Sequence, residues 1–437
     1  IIGSVGGVKE KVEAASKNGL KKIMIVQGTG KVKKGNQSLN LINYSQNNLS
    51  IHLVEVTNLN DVLFHLTGKR LKKENTSFQI NKEYQETMKA LSRLLCDRMD
   101  QALIEIKQLS IEESQLNKIA TKKNQSLLSL KKKDYYSAAS FCFGGNILAK
   151  EIAYTNKEPT QLDQEVKNLK RKVSLLEKRL QKEKIETISD LQTMMIVKER
   201  LDEVKEKVSD FEKNKNQSSV LAYAQERFFS AISWMYFFKM EGKRFVLDKN
   251  QLKKSCMNKI SESEERYQYI ELIFRGFPIN SIKEKINLAV QKLNSQQYDL
   301  CLIKAVQAKA EANAIINSLG LDNESFPVFL ESKRKAAAGV IAENSREGVF
   351  PILGYSYYQY ANSLSGEEKY QSILYLEYAL EMSELDIYFK EEKSPLFIQE
   401  KVVWDWMKLN NWWLCLIGGY LLGVGVTLAA VLIRRKR

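Results

Sequence analysis

The sequence predicts a mainly α fold, and three observations carry that reading. Proline and glycine are scarce, with 5 and 21 in 437 residues, where the turns of a β sandwich would use more of both. From about Asn81 onward apolar residues recur at helical spacing, as in Tyr84, Met88, Leu91, Leu95 and Met99. Residues 161–213 carry heptads: Leu162, Val166, Leu169, Val173, Leu176 and Leu180, then Met194, Val197, Leu201, Val204, Val208 and Phe211.

The elements follow in order. Gly3, Gly6 and Gly7 lead into a helical run from about Lys9 to Asn18, closed by Gly19. Lys22–Val26 reads as a buried strand and Ile51–Val56 as another. Thr57 or Asn58 caps a helix from about Leu59 to Leu66, with Gly68 past its end. This order is the end of an α/β or α+β domain over residues 1–70. Residues 71–160 read as a helical region. Over 161–214 the polar Glu183, Thr187 and Asp190 interrupt the apolar seam. Thr187-x-x-Asp190 or Ser189-x-x-Gln192 can cap a new helix there. An antiparallel coiled-coil hairpin is therefore preferred over one continuous intermolecular coiled coil. Residues 215–411 read as helical, with tetratricopeptide-like pairs in Leu293–Asn317 and Tyr370–Leu385 but no strict repeat.

Residues 413–433 are 21 in a row without a charge, enough to span the ~30 Å hydrocarbon core. Trp412 and Trp413 stand at one end, and Arg434, Arg435, Lys436 and Arg437 at the other. Aromatic rings prefer the interface and positive flanks stay inside. Residues 412–437 are thus expected to be a single-pass anchor to the cell membrane with a short cytoplasmic tail, and residues 1–411 an extracellular ectodomain. Membrane lipid is the expected partner of residues 413–433. Gly419 and Gly423 form a GxxxG that either packs a homo-oligomer or is ordinary for an anchor. Asn-x-Ser/Thr sequons at Asn36, Asn43, Asn48, Asn75, Asn124, Asn216 and Asn323 fit an exported chain.

Composition excludes several classes. At 44% apolar the chain is not wholly disordered. Two His and no CxxC argue against a zinc site. Cys415 lies in the apolar segment. Cys96, Cys142, Cys256 and Cys301 are either two disulfides or four buried thiols. The net charge of +15 invites a nucleic-acid partner, yet Lys alternates with Glu as on a solvated helix face, so none is expected. Gly28-Thr29-Gly30-Lys31 superficially suggests a phosphate loop, but it lacks the first glycine and has Val32 where Ser or Thr would hold magnesium. No cofactor is expected.

The segment Gly3-Ser4-Val5-Gly6-Gly7-Val8-Lys9-Glu10-Lys11-Val12 resembles the catalytic-lysine motif of the Lon protease family, in which a Gly-Gly turn leads into the helix bearing the lysine. KIMIVQG and IHLVEVTNLNDVLFHL resemble that family's following strand and its closing strand and helix. The match covers residues 1 to about 70. The helical remainder with its apolar C-terminus is similar to archaeal membrane-anchored Lon-like proteins. The resemblance implies the C-terminal half of an α/β Lon-type proteolytic domain and an ATP-independent serine–lysine endopeptidase acting on protein or peptide substrates. Lys11 is its implied catalytic residue, and the nucleophilic serine is expected upstream of residue 1. A neutral lysine must take the serine's proton, and the first turn of a helix disfavours an ammonium. The rival expectation is a non-enzymatic helical scaffold carrying a degenerate Lon-like domain.

Overall fold

Helix starts and stops in this chain follow local chemistry. The computed structural model describes residues 5–34, 37–56, 58–69, 77–109, 111–214, 217–273, 279–318, 326–364 and 368–392. Residues Ile1–Lys390 group into one compact unit and Glu391–Arg437 into a second.

The N-terminal lobe runs α1 Val8–Lys17, β1 Lys22–Val26, β2 Lys31–Lys34, β3 Gln37–Asn40, α2 Leu41–Leu49, β4 His52–Val56 and α3 Leu59–Thr67. Gly7 opens α1 in the left-handed region at φ 67°, where a residue without Cβ is unstrained. The Asn58 side chain accepts from the Asp61 N–H to start α3. β1 pairs with β4 in parallel, Lys22 opposite His52 and Val26 opposite Val56. β2 and β3 form a separate antiparallel hairpin. Val12, Ile25, Leu41 and Leu53 make the small core.

This corrects the expected fold. Among the described residues every sheet is two-stranded, so no α/β Lon-type domain is formed. The reason is the size of the sheet. A parallel layer is stable when several strands are covered on both faces, and five-residue β1 has β4 as its one neighbour.

The helical body begins with α4 Lys82–Ile106, α5 Glu113–Lys131, α6 Tyr135–Thr155, α7 Pro159–Leu180, α8 Ile188–Lys213 and α9 Ser218–Trp234. A 3-10 turn, Met235–Phe237, and β5 Phe245–Val246 follow. Then come α10 Lys249–Ile273, α11 Asn280–Asn294, α12 Tyr298–Ser318, α13 Phe326–Arg346, α14 Ile352–Ser363 and α15 Lys369–Ser383. A 3-10 turn at Leu385–Tyr388 and β6 Lys390–Glu391 complete the described chain.

The heptad positions Leu162 to Leu180 are the buried face of α7. At the start of α8 the Thr187 hydroxyl accepts from the Asp190 N–H at 3.0 Å, and the Asp190 carboxylate accepts from the Thr187 N–H at 3.1 Å. This reciprocal cap satisfies two orphan donors. Ion pairs Lys170–Glu212 at 2.7 Å and Lys205–Glu177 at 2.5 Å hold α7 and α8 side by side in opposite directions. From Leu191 to Val197 every residue of α8 is buried, the polar Gln192 and Thr193 included. Gln192 survives there because it donates to the Met382 carbonyl at 2.6 Å and accepts from the Leu353 N–H at 2.9 Å.

Both pairs of cysteines are joined. Cys96–Cys142 ties α4 to α6, and Cys256–Cys301 ties α10 to α12. Charges expected on solvated faces also stitch the layers from inside. Arg98–Glu226 joins α4 to α9 at 2.9 Å, and Lys304–Glu199 joins α12 to α8 at 3.2 Å. Lys259–Glu381 joins α10 to α15 at 2.9 Å, and Lys333–Glu377 joins α13 to α15 at 2.5 Å.

The membrane expectation is corrected as well. Among the described residues no helix is long and apolar enough to cross a membrane. α14 carries no charge but is 12 residues long, about 18 Å. α6 has 21 residues but includes Lys150 and Glu151 and packs against α4, α5 and α9. The segment 412–437, on which the single-pass localisation and the lipid partner rested, lies outside the described residues.

Candidate functional site

The sequence pointed to α1. Lys11 is exposed on its first turn, and its backbone N–H donates to the Gly7 carbonyl at 3.0 Å. Lys9, two residues before it, is half-buried. It pairs with Glu13 at 3.3 Å and lies 5.7 Å from the centre of the Tyr44 ring. Glu13 also accepts from the Tyr44 hydroxyl at 2.9 Å. That bond and Lys9 hold its carboxyl below its ordinary value. The Gly6 N–H donates to the Tyr269 hydroxyl of α10 at 2.8 Å, which fastens the turn to the helical body. Ser4 lies outside the described residues.

The Gly28–Lys31 loop cradles an anion, but the anion is internal. The Gly28 and Gly30 N–H groups donate to one Glu55 carboxylate oxygen at 3.2 and 2.8 Å. A Cβ on Gly30 would stand 2.6 Å from that oxygen and 3.2 Å from the Ile42 side chain, so both side chains would have to shift to admit one.

A concave site lies elsewhere, in the helical body. A cavity of about 310 Å³ opens between α4, α5, α6, α8, α9, α14 and α15. Its floor is apolar and aromatic, with Leu91, Phe141, Trp234 and Phe237 buried. Half-buried Lys122, Ser140, Tyr360 and Tyr375 stand nearer solvent. Three cations line it, Lys122, Arg200 and Arg227, and none of its lining residues is a carboxylate.

The two arginines differ in their partners. Arg227 is ion-paired with Glu199 at 3.1 Å and with Glu203. Burial lowers the Arg227 guanidinium's affinity for its proton, but Glu199 and Glu203 outweigh that and push it up. Glu199 is pushed up by burial and pulled down more strongly by Arg227, Lys304 and Arg200, so it lies below its ordinary value. Arg200 is 6% exposed and has no carboxylate partner among the described residues. One Nη donates to the Ser230 carbonyl at 3.2 Å and to the Ser230 hydroxyl. Its guanidinium carbon lies 5.0 Å from the Trp234 ring, and its Nε has no hydrogen-bond partner. Burial, then the like charge of Arg227, push Arg200 down to about 10, so it is still a cation at neutral pH. Burial raises the tyrosines of the wall, Tyr136 among them and Tyr360 to about 12, so they present neutral hydroxyls.

Sequence reasoning did not single out Arg200. It sits on a heptad helix whose charges read as surface. The usable signal was the run Met194–Val197 just before it, four apolar residues in succession that cover every side of one helix turn and so mark a helix enclosed all round. Among the described residues no group of three or more His, Cys, Asp or Glu is arranged to hold a metal ion. No family model matches the chain, nor does any curated protein or solved structure.

Proposed function

We propose that the chain is a non-enzymatic helical scaffold whose body receives a small molecule between α4, α6, α8 and α9. The observation that carries this reading is the cavity of about 310 Å³ walled by several helices. Its size and its mixture of aromatic walls with few polar groups match small-molecule sites, which run from roughly 300 to 1,000 Å³. A ligand bound to the folded state raises the unfolding temperature by mass action. A panel of neutral and charged aromatic and short acyl compounds should therefore contain members that raise it in the parent and not in Ser140→Trp, which fills the mouth. A panel without effect on the parent refutes the reading.

A second reading, a serine–lysine peptidase, has one supporting observation. The left-handed Gly7 turn leads into α1 with Lys11 on its first turn, the placement that the resemblance implies. Lys11→Ala should then abolish cleavage of an unfolded protein substrate without lowering stability. Cleavage retained in that variant rules the lysine out as the base.

A further inference from the structure

We propose that the cavity is a site for an organic anion, a carboxylate or phosphate ester with an aromatic or short acyl body, and that Arg200 is the residue that receives its charged head. This rests on the small-molecule reading above and names the chemical class. Three observations converge on it. Arg200 is buried, has no carboxylate partner among the described residues, and keeps an unbonded Nε. A guanidinium left in this state carries a desolvation cost that an anion accepting its free N–H would offset.

The charge balance around the site gives the sign of the ligand. Arg200, Arg227 and Lys304 face Glu199 and Glu203, so the cluster keeps one cation in excess. Lys122 adds a further positive group at the wall, 5.6 Å from the Phe141 ring centre. The charged residues that line the cavity itself are Lys122, Arg200 and Arg227, which disfavours a cationic ligand.

The rest of the wall specifies the body. Trp234 and Phe237 lie 5.1 Å apart by ring centres, and Tyr136 stands edge-on to Trp234 at 6.1 Å. Leu91, Leu95 and Phe141 continue the apolar lining. These surfaces hold an aromatic ring or a short chain by burial. The Ser233 hydroxyl bonds to the Phe229 carbonyl and Ser230 supports Arg200, so among the polar groups near the buried aromatic floor the guanidinium N–H is free to meet the head. The half-buried side chains of Lys122, Ser140 and Tyr360 mark the way in.

The test is isothermal titration of the full chain with phenylacetate, phenyl phosphate and hexanoate against neutral phenylacetamide. The acids are expected to bind at least about tenfold more tightly than the amide, as a charged hydrogen bond implies. Arg200→Gln should remove that advantage and leave the amide unchanged. Ser140→Trp should abolish binding of all four. The proposal is overturned if the amide matches the acids, if Arg200→Gln binds the acids as the parent does, or if Ser140→Trp still binds them. The acid–amide comparison in the parent decides the matter even where Arg200→Gln fails to fold. A neutral compound that binds and is displaced by Ser140→Trp, with no preference for acids, sinks the anion proposal and leaves the small-molecule reading standing. Binding by none of the four overturns the anion proposal; a panel of other compounds without effect sinks the broader reading too.

Discussion

Replacing Glu199 by Leu should destabilise the helical body by about 3–5 kcal/mol, the range for removing one partner of a buried ion pair. Glu199 is 2% exposed. Its carboxylate meets Arg227 at 3.1 Å, Lys304 at 3.2 Å and the Gln307 amide at 3.3 Å. At 3.2 Å and an effective dielectric near 20 one such pair has a gross attraction of about 5 kcal/mol, much of it offset by desolvation. The cost of the substitution lies mainly in what is left behind. Lys304, 9% exposed, has no other carboxylate partner among the described residues, while Arg227 keeps Glu203. Lys304→Met alone should cost less, about 1–2 kcal/mol, because Glu199 retains Arg227 and Gln307. In the double variant no lysine is stranded, so its loss should fall short of the sum of the singles by about 1–3 kcal/mol. Urea unfolding at neutral pH, with equal m-values across the four proteins, measures all three numbers. A loss below about 1 kcal/mol for Glu199→Leu, or strict additivity in the cycle, refutes the desolvated α8–α12 link.

Gly354→Ala should cost about 1–3 kcal/mol by overpacking, since its Cβ would stand 3.0 Å from the Ala379 carbonyl and 2.0 Å from the Ser383 hydroxyl. Unchanged thermal stability would show that α14 and α15 do not approach so closely. Removing the Cys96–Cys142 bridge by Cys96→Ala/Cys142→Ala frees a loop of 46 residues, worth about 4 kcal/mol in the chain-entropy account. An unfolding midpoint equal to that of the oxidised parent contradicts it. For Glu262, burial pushes the carboxyl up, but hydrogen bonds from Lys309 and Tyr388 and the charge of Lys259 hold it at about 2 against an ordinary 4.5. A depressed carboxylate stabilises the fold above its ordinary value, and that contribution disappears as pH falls from about 4.5 to about 2. Glu262→Gln should flatten the stability profile in that window, and an unaltered slope there disproves the assignment.

Much of the local structure was legible because it depends on neighbours in sequence. The steps of four and three from Leu162 to Leu180 mark the face that α7 buries. Thr187 and Asp190 stand at the break that starts α8, and Asn58 and Gly68 bracket α3. The candidate site was not legible in the same way. Arg200, Ser230, Phe141 and Tyr360 lie on four different helices, and nothing in their spacing brings them together. Lys11 shows the reverse case. Its turn and its glycines are local features that the sequence displays, whereas a catalytic role needs a partner side chain that only tertiary placement supplies.

The sequence by itself determined that this chain is rich in helix, where several of those helices begin and end, and which residues of α7 form its apolar seam. These follow from periodicity and caps, which act over a turn or two. Only the tertiary structure decided that the strands of residues 5–69 pair two by two, which cysteines meet, and which charges go inside. A lysine or glutamate looks alike on a solvated face and in a buried pair until the facing helix is known. Arg200 is the clearest instance. One helix turn after a run that is buried on every side, it faces Trp234 and Ser230 instead of water, and its charge is left for a ligand to meet.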